Sequence, residues 1–296
     1  MATMSGFVPY LPERSVSLRY DPLETRDYGM WTVELGRTGV RLPNLALGTW
    51  NIRDPAAMRE TIRAAVDLGV FHIDTAEIYP GAEEIVGHAI RGIRDRVFLT
   101  TKVAPQHATY TGTLAACEAS LRRLGTDFVD LYLLHWLERD TPLEETLRAF
   151  RTLIEQGKVR FAGVSNFSVR ELQRAQELFR PYALVNDQVE YNLTNRRIER
   201  DLLPYCREAG ITVSGYSPFW EGRIPRRSPR WRGVERIAAR HGRSPYSIVL
   251  NFLARQRDIV LIFKTERVEH LQENIAALDF MLDPEDIAWM EANFAP

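Results

Sequence analysis

Asp74 and Tyr79 stand five residues apart, a spacing that gathers a carboxylate and a phenol at one end of a short buried element. Phe71-His72-Ile73-Asp74 reads as a strand ending in an acid. Pro80-Gly81 then marks a turn before a helix that opens at Ala82-Glu83-Glu84. In a parallel α/β protein, the C-terminal ends of strands are where reactive groups are placed. Taken alone, the stretch reads equally well as a buried Asp capping the turn with a Tyr packed over it. Lys102 and His135 extend the first reading. A phenol loses its proton near pH 10, too high for easy donation at neutral pH. An ammonium beside it, held by a buried carboxylate, would lower that value. Lys102 would thus tune Tyr79, Asp74 would orient and balance Lys102, and His135 would donate a hydrogen bond to a carbonyl oxygen.

These residues need a scaffold, and the apolar pattern supplies one. From Leu45 onward, apolar runs alternate with longer amphipathic segments. Strands are expected at Leu45–Thr49, Val70–Asp74, Val97–Lys102, Phe128–His135, Arg160–Val164, Leu184–Val189, Ile211–Tyr216 and Ile259–Phe263. The paired helices are Pro55–Leu68, Glu83–Gly92, Thr113–Leu124, Leu143–Gln156, Val169–Phe179, Ile198–Ala209, Pro245–Arg255 and Arg267–Leu278. Strands apolar throughout are buried on both faces, as in a parallel sheet. Eight βα units imply an α/β fold, a closed (β/α)8 TIM barrel, with an extra C-terminal helix near Pro284–Asn293. A β-hairpin around Gly36–Gly39 precedes it. Residues 1–29 read as an extension, on the surface or partly disordered, and 30–296 as a single domain.

The C-terminal ends of these strands are Trp50, Asp74, Lys102, His135, Ser165-Asn166, Gln188, Tyr216-Ser217 and Lys264. Every one is polar or aromatic, which packing alone does not explain. Composition points the same way: only three of 38 cationic residues are lysines (Lys102, Lys158 and Lys264), and two of the three fall on this face. Lysine is retained where a compact ammonium with an adjustable pKa is needed.

The remaining composition mostly excludes. A net charge of −1 gives nucleic acid and anionic membranes no footprint. No apolar run reaches the roughly 20 residues of a membrane helix, and no secretory signal is legible near Met1, so a cytoplasmic location is expected. Cys117 and Cys206 read as buried thiols, with no disulfide framework and no metal motif.

Eight motifs together resemble the aldo-keto reductase superfamily: Leu47-Gly-Thr-Trp50, Asp74 to Tyr79, Thr100-Thr-Lys102, Leu133-Leu-His-Trp136, Gly163-Val-Ser-Asn-Phe167, Gln188-Val-Glu-Tyr-Asn192, Tyr216-Ser-Pro218 and Glu273-Asn274. The resemblance, closest to compact bacterial members, implies a catalytic tetrad of Asp74, Tyr79, Lys102 and His135 with Tyr79 as proton donor. It implies an extended nicotinamide cofactor beside Gly48, Thr49 and Trp50. Tyr216 would stack on the nicotinamide, Ser165, Asn166 and Gln188 would bind its carboxamide, and Ser217 would follow the pyrophosphate. Arg223, Arg226, Arg227, Arg230 and Arg232 read as a mostly solvated basic loop. At the adenosine end Lys264 and Thr265 match an NADPH site and Glu273 and Asn274 fit adenine. His270 stands where the family has an arginine, and Glu266 is beside Thr265. NADPH is favoured, with NADH as the alternative.

Trp50, Trp136, Phe219 and Trp220 are expected to form an aromatic mouth suited to an aldehyde, ketone or keto-sugar. A chain end soon after the last helix and a short connection after His135 imply an open pocket. The expected activity is carbonyl reduction by a monomer or weak homo-oligomer. Two other classes compete: a cofactor-binding redox sensor or regulatory subunit, which would not need the whole tetrad, and an aldolase using Lys102 as a Schiff base. The latter gives the Ser165-Asn166 and Gln188 set no role.

Overall fold

Alternation along each strand sorts its side chains into two cores. On β5 (Phe98–Val103), Leu99 and Val103 pack outward against helices, while Phe98, Thr100 and Lys102 follow one another up the barrel interior. β6 (Val129–Leu134) does the same, with Tyr132 and Leu134 outward and Leu131 and Leu133 inward. The computed structural model describes residues 30–222 and 226–296. The other strands are β1 (Thr32–Glu34), β2 (Arg41–Pro43), β3 (Leu45–Gly48), β4 (His72–Asp74), β7 (Val159–Ser165), β8 (Leu184–Glu190), β9 (Thr212–Tyr216) and β10 (Ile259–Phe263). β3 to β10 close into a parallel barrel, β10 pairing with both β3 and β9. This is the (β/α)8 architecture expected from the apolar pattern.

β1 and β2 form the antiparallel hairpin and plug the base of the barrel. Val33, Leu35 and Leu42 join Phe98, Leu131, Phe161, Val185 and Val260 in one buried cluster. The plug is also tied by polar contacts, since Gly36 N–H donates to Thr212 Oγ1 at 2.7 Å and Thr212 Oγ1 donates to Glu34 O at 2.7 Å. Gly36 has φ +56°, which only glycine adopts without strain, and it lies against Val185.

The outer ring is α1 (Pro55–Asp67), α2 (Ala82–Ile90), α3 (Tyr110–Leu124), α4 (Leu143–Glu155), α5 (Val169–Phe179), α6 (Leu202–Ala209), α7 (Pro229–His241), α8 (Pro245–Ala254), α9 (Val268–Ala276) and α10 (Pro284–Asn293). Two helices depart from expectation. α6 starts at Leu202, not Ile198, with Asp201 accepting from Leu202 N–H; a helix running through from Ile198 would place Pro204 in its interior. α7 falls where the basic loop was expected, so that β9 is followed by two helices. Its apolar stripe is Trp231, Val234, Ile237 and Ala238, and Ser228 caps it by accepting from Trp231 N–H. The extension 1–29 and Arg223 lie outside the described residues. Cys117 and Cys206 are buried and unpaired.

Candidate active site

The strand ends converge on a cavity of about 790 Å³ at the C-terminal mouth of the barrel. Beneath it, β5 carries Lys102 fully buried, and β4 places Asp74 beside it. Lys102 Nζ donates to Asp74 Oδ1 and to Thr75 O, each at 2.7 Å, and Gln188 Nε2 donates to Asp74 Oδ2 at 2.8 Å. The carboxylate is therefore held on both oxygens, and Thr49 Oγ1 fixes its backbone by donating to Asp74 O at 2.9 Å. Burial pulls the Lys102 ammonium below the ordinary lysine value, and Asp74 resists that pull.

Tyr79 stands over this pair, with Lys102 Nζ 5.1 Å from its ring centroid. Its ring packs edge-on against Trp50 at 5.1 Å and against His135 at 5.6 Å, and His135 stacks on Trp136 at 3.9 Å. The phenol is not lowered as the sequence suggested. Burial raises it well above the ordinary value, and the carboxylates of Asp74 and Glu221 add to the rise. The physical reason is that Lys102 directs its ammonium to Asp74 and Thr75. Tyr79 is consequently fully protonated at neutral pH. Burial, then the nearby Lys102 charge, pushes His135 down to about 2, so its imidazole is neutral. Its Nδ1 is buried with no hydrogen-bond partner among the described residues.

The opposite wall is a chain of polar groups. Tyr216 Oη donates to Asn166 Oδ1 at 3.0 Å, Asn166 Nδ2 to Ser165 Oγ at 3.0 Å, and Ser165 Oγ to Gln188 O at 2.7 Å. Burial raises the Tyr216 phenol to about 12. Asn51, Asn166, Ser217, Trp220 and Glu221 all have positive φ between 52° and 63°, strained for non-glycine residues and gathered on this face.

The cavity brings together Gly48, Thr49, Trp50, Asp74, Tyr79, His135, Trp136, Ser165, Asn166, Gln188, Tyr216, Ser217, Phe219, Lys264, Thr265 and His270. Trp220 instead lines a second cavity with Leu193, Pro229 and Trp231, because its backbone turn carries the ring away from the mouth. Glu273 and Asn274 lie on α9 outside the lining, Asn274 buried. Sequence reasoning missed Asn51, Arg53, Ile78 and Glu221 in the lining. For Ile78 a signal existed, an apolar residue inside the turn between Asp74 and Tyr79. The others arrive by tertiary approach.

A cleft at the barrel mouth with a buried acid set, a tyrosine platform and a basic stretch (Arg53, Lys264, Arg267) fits a barrel oxidoreductase of the nucleotide-using kind. The chain belongs to the aldo/keto reductase family, whose family model matches residues 44–293. It is 39% identical over 259 residues to a methylglyoxal reductase of Escherichia coli, covering 85% of this chain and 91% of that protein. It is 35% identical over 264 residues to a glyoxal reductase of Bacillus subtilis, covering 88% and 92%. Among solved structures, an aldo-keto reductase from Klebsiella pneumoniae in complex with NADPH superposes with a TM-score of 0.82 at 38% identity, covering 90% of this chain and 96% of that one. Among the described residues no helix is long and apolar enough to cross a membrane.

Proposed function

We propose that this protein is an NADPH-dependent reductase of small aldehydes and ketones, with Tyr79 as the proton donor. The observation that carries the reading is the meeting of Tyr79 and His135 at one cavity floor, above the Lys102–Asp74–Gln188 set, with Tyr216 lining the same cavity. A bound NADPH supplies the hydride. Tyr216 offers a flat face for its ring, Ser165 and Asn166 are polar partners for its amide, and Lys264 with Arg53 and Arg267 gives its phosphates a basic end.

The protein's own residues do the rest. The neutral His135 imidazole donates to the carbonyl oxygen and aligns it. As charge develops on that oxygen, Tyr79 passes it the phenolic proton, because an alkoxide is a stronger base than a phenolate. Lys102 keeps Asp74 neutralised beneath the tyrosine, so that carboxylate opposes the developing phenolate less than it would unpaired. Trp50, Ile78, Trp136 and Phe219 form an apolar mouth that suits a small carbonyl compound. The E. coli and B. subtilis relatives make 1,2-dicarbonyl compounds the first substrates to test.

The test follows nicotinamide absorbance with NADPH or NADH against methylglyoxal, glyoxal and simple aldehydes and ketones. Wild type is expected to turn over. Tyr79→Phe is expected to lose at least about 100-fold in kcat while retaining NADPH binding, measured by fluorescence titration. Equal turnover by both would remove Tyr79 from its role. NADPH binding without turnover of any carbonyl would favour a sensor.

A further inference from the structure

At the far end of the cavity Lys264 is already engaged. Its ammonium donates to Asn51 O at 3.1 Å and pairs with Glu266 Oε1. Glu266 has further partners. Its Oε1 accepts from Arg53 N–H and its Oε2 from Asp54 N–H, each at 2.9 Å, across more than 200 positions of chain. One carboxylate thus joins the loop after β10 to the loop between β3 and α1, which carries Trp50 to its contact with Tyr79. Asn51, Arg53, Lys264 and Glu266 all line the cavity.

We infer that Glu266 sets coenzyme preference: it competes with the 2′-phosphate of NADPH for Lys264 while clasping the Trp50 loop whichever nicotinamide is bound. The inference rests on the nucleotide reading of this cavity. A lysine ammonium has three N–H donors. With Asn51 O and Glu266 each taking one, a 2′-phosphate has one left to share, beside a carboxylate of its own sign. NADH brings a neutral 2′-hydroxyl to the same place, which loses no ion pair and can donate to a carboxylate. Glu266 thereby narrows the advantage that Lys264 would otherwise give the phosphorylated coenzyme. Arg267, on the same rim as His270, remains as a further cation; it pairs only loosely, its Nε 3.5 Å from Glu269.

The experiment measures binding, without turnover, of adenosine 2′,5′-bisphosphate and of 5′-AMP by calorimetry. Proteins are the wild type, Glu266→Gln, Lys264→Met and the double variant. Glu266→Gln is expected to raise the affinity ratio of the bisphosphate to AMP roughly tenfold, the size of a charge-assisted contact regained. That gain should vanish in the Lys264→Met background, because it runs through the lysine. The KM ratio of NADH to NADPH should move in the same direction. An unchanged ratio, or a gain that survives Lys264→Met, overturns the inference and leaves the reductase reading standing. Wild type that binds neither nucleotide overturns both. Should the glutamine variant not fold, Glu266→Asp takes its place: the shorter side chain keeps a charge by the loop amides and withdraws it from Lys264, with the same direction expected.

Discussion

The lower and upper halves of the barrel interior are made by the same strands, and they have opposite characters. On β5, Phe98 lies in the plugged base and Lys102 lies four residues above it in the acid set. On β6 and its extension, Leu131 and Leu133 lead up to His135; on β10, Val260 and Ile262 lead to Lys264. Below, close-packed Phe, Leu and Val hold chiefly to one another. Above, nearly every side chain depends on a polar neighbour, and the strained backbone positions gather there. The apolar base is what makes the polar top workable. It excludes water from beneath Lys102 and Asp74, so their charges are not screened, and it holds the strands rigid so that contacts of 2.7 Å persist.

Three substitutions probe this division. Lys102→Met should have the largest effect, since it leaves the buried Asp74 carboxylate without its counter-charge. A loss of about 4 kcal/mol in urea unfolding is expected, along with at least about 100-fold in kcat. Wild-type stability in this variant would mean that the upper half is not held by that pair. Phe98→Ala, in the base, should cost about 3 kcal/mol through cavity formation, yet the molecules that remain folded should keep their kcat and KM. If kcat falls in step with stability, the two halves are not separable.

Asp187→Asn should have the smallest effect, and it should stabilise. Asp187 is fully buried on β8, its Oδ2 has no hydrogen-bond partner among the described residues, and burial raises its carboxyl well above the usual range. The unfolded chain ionises this group as pH rises past the ordinary carboxylate value, while the folded chain resists. Stability is therefore undiminished in acid and declines toward neutral pH. Asparagine removes that decline, so the variant should gain about 1 kcal/mol at pH 7 and little at pH 3, read from denaturation midpoints at both. A gain equal at both pH values would assign the effect to packing.

The sequence made much of this visible, for identifiable reasons. Strands buried on both faces are unbroken apolar runs, so β3 to β10 could be located within a residue or two. Strand ends could then be lined up, and Asp74, Lys102 and His135 came with them. α7 was hidden because arginines crowd its polar face; its capping serine at Ser228-Pro229 and its Gly242 stop were legible but outweighed. The Tyr79 proton affinity was misjudged because pattern shows which charges are near, not whose hydrogen bonds they are committed to. Arg53, Asn51 and the backbone partners of Glu266 were invisible for a simpler reason: no local signal reports which loops meet across a barrel mouth.

The hairpin at the base has one more consequence. Val33, Leu35 and Leu42 close the lower end, and among the described residues the cavity opens at the upper mouth of the barrel. At that mouth the exposed indoles of Trp50 and Trp136 pack against Tyr79 and His135. On the proposed role of Tyr79, its proton is replaced from the mouth, since the base beneath is apolar.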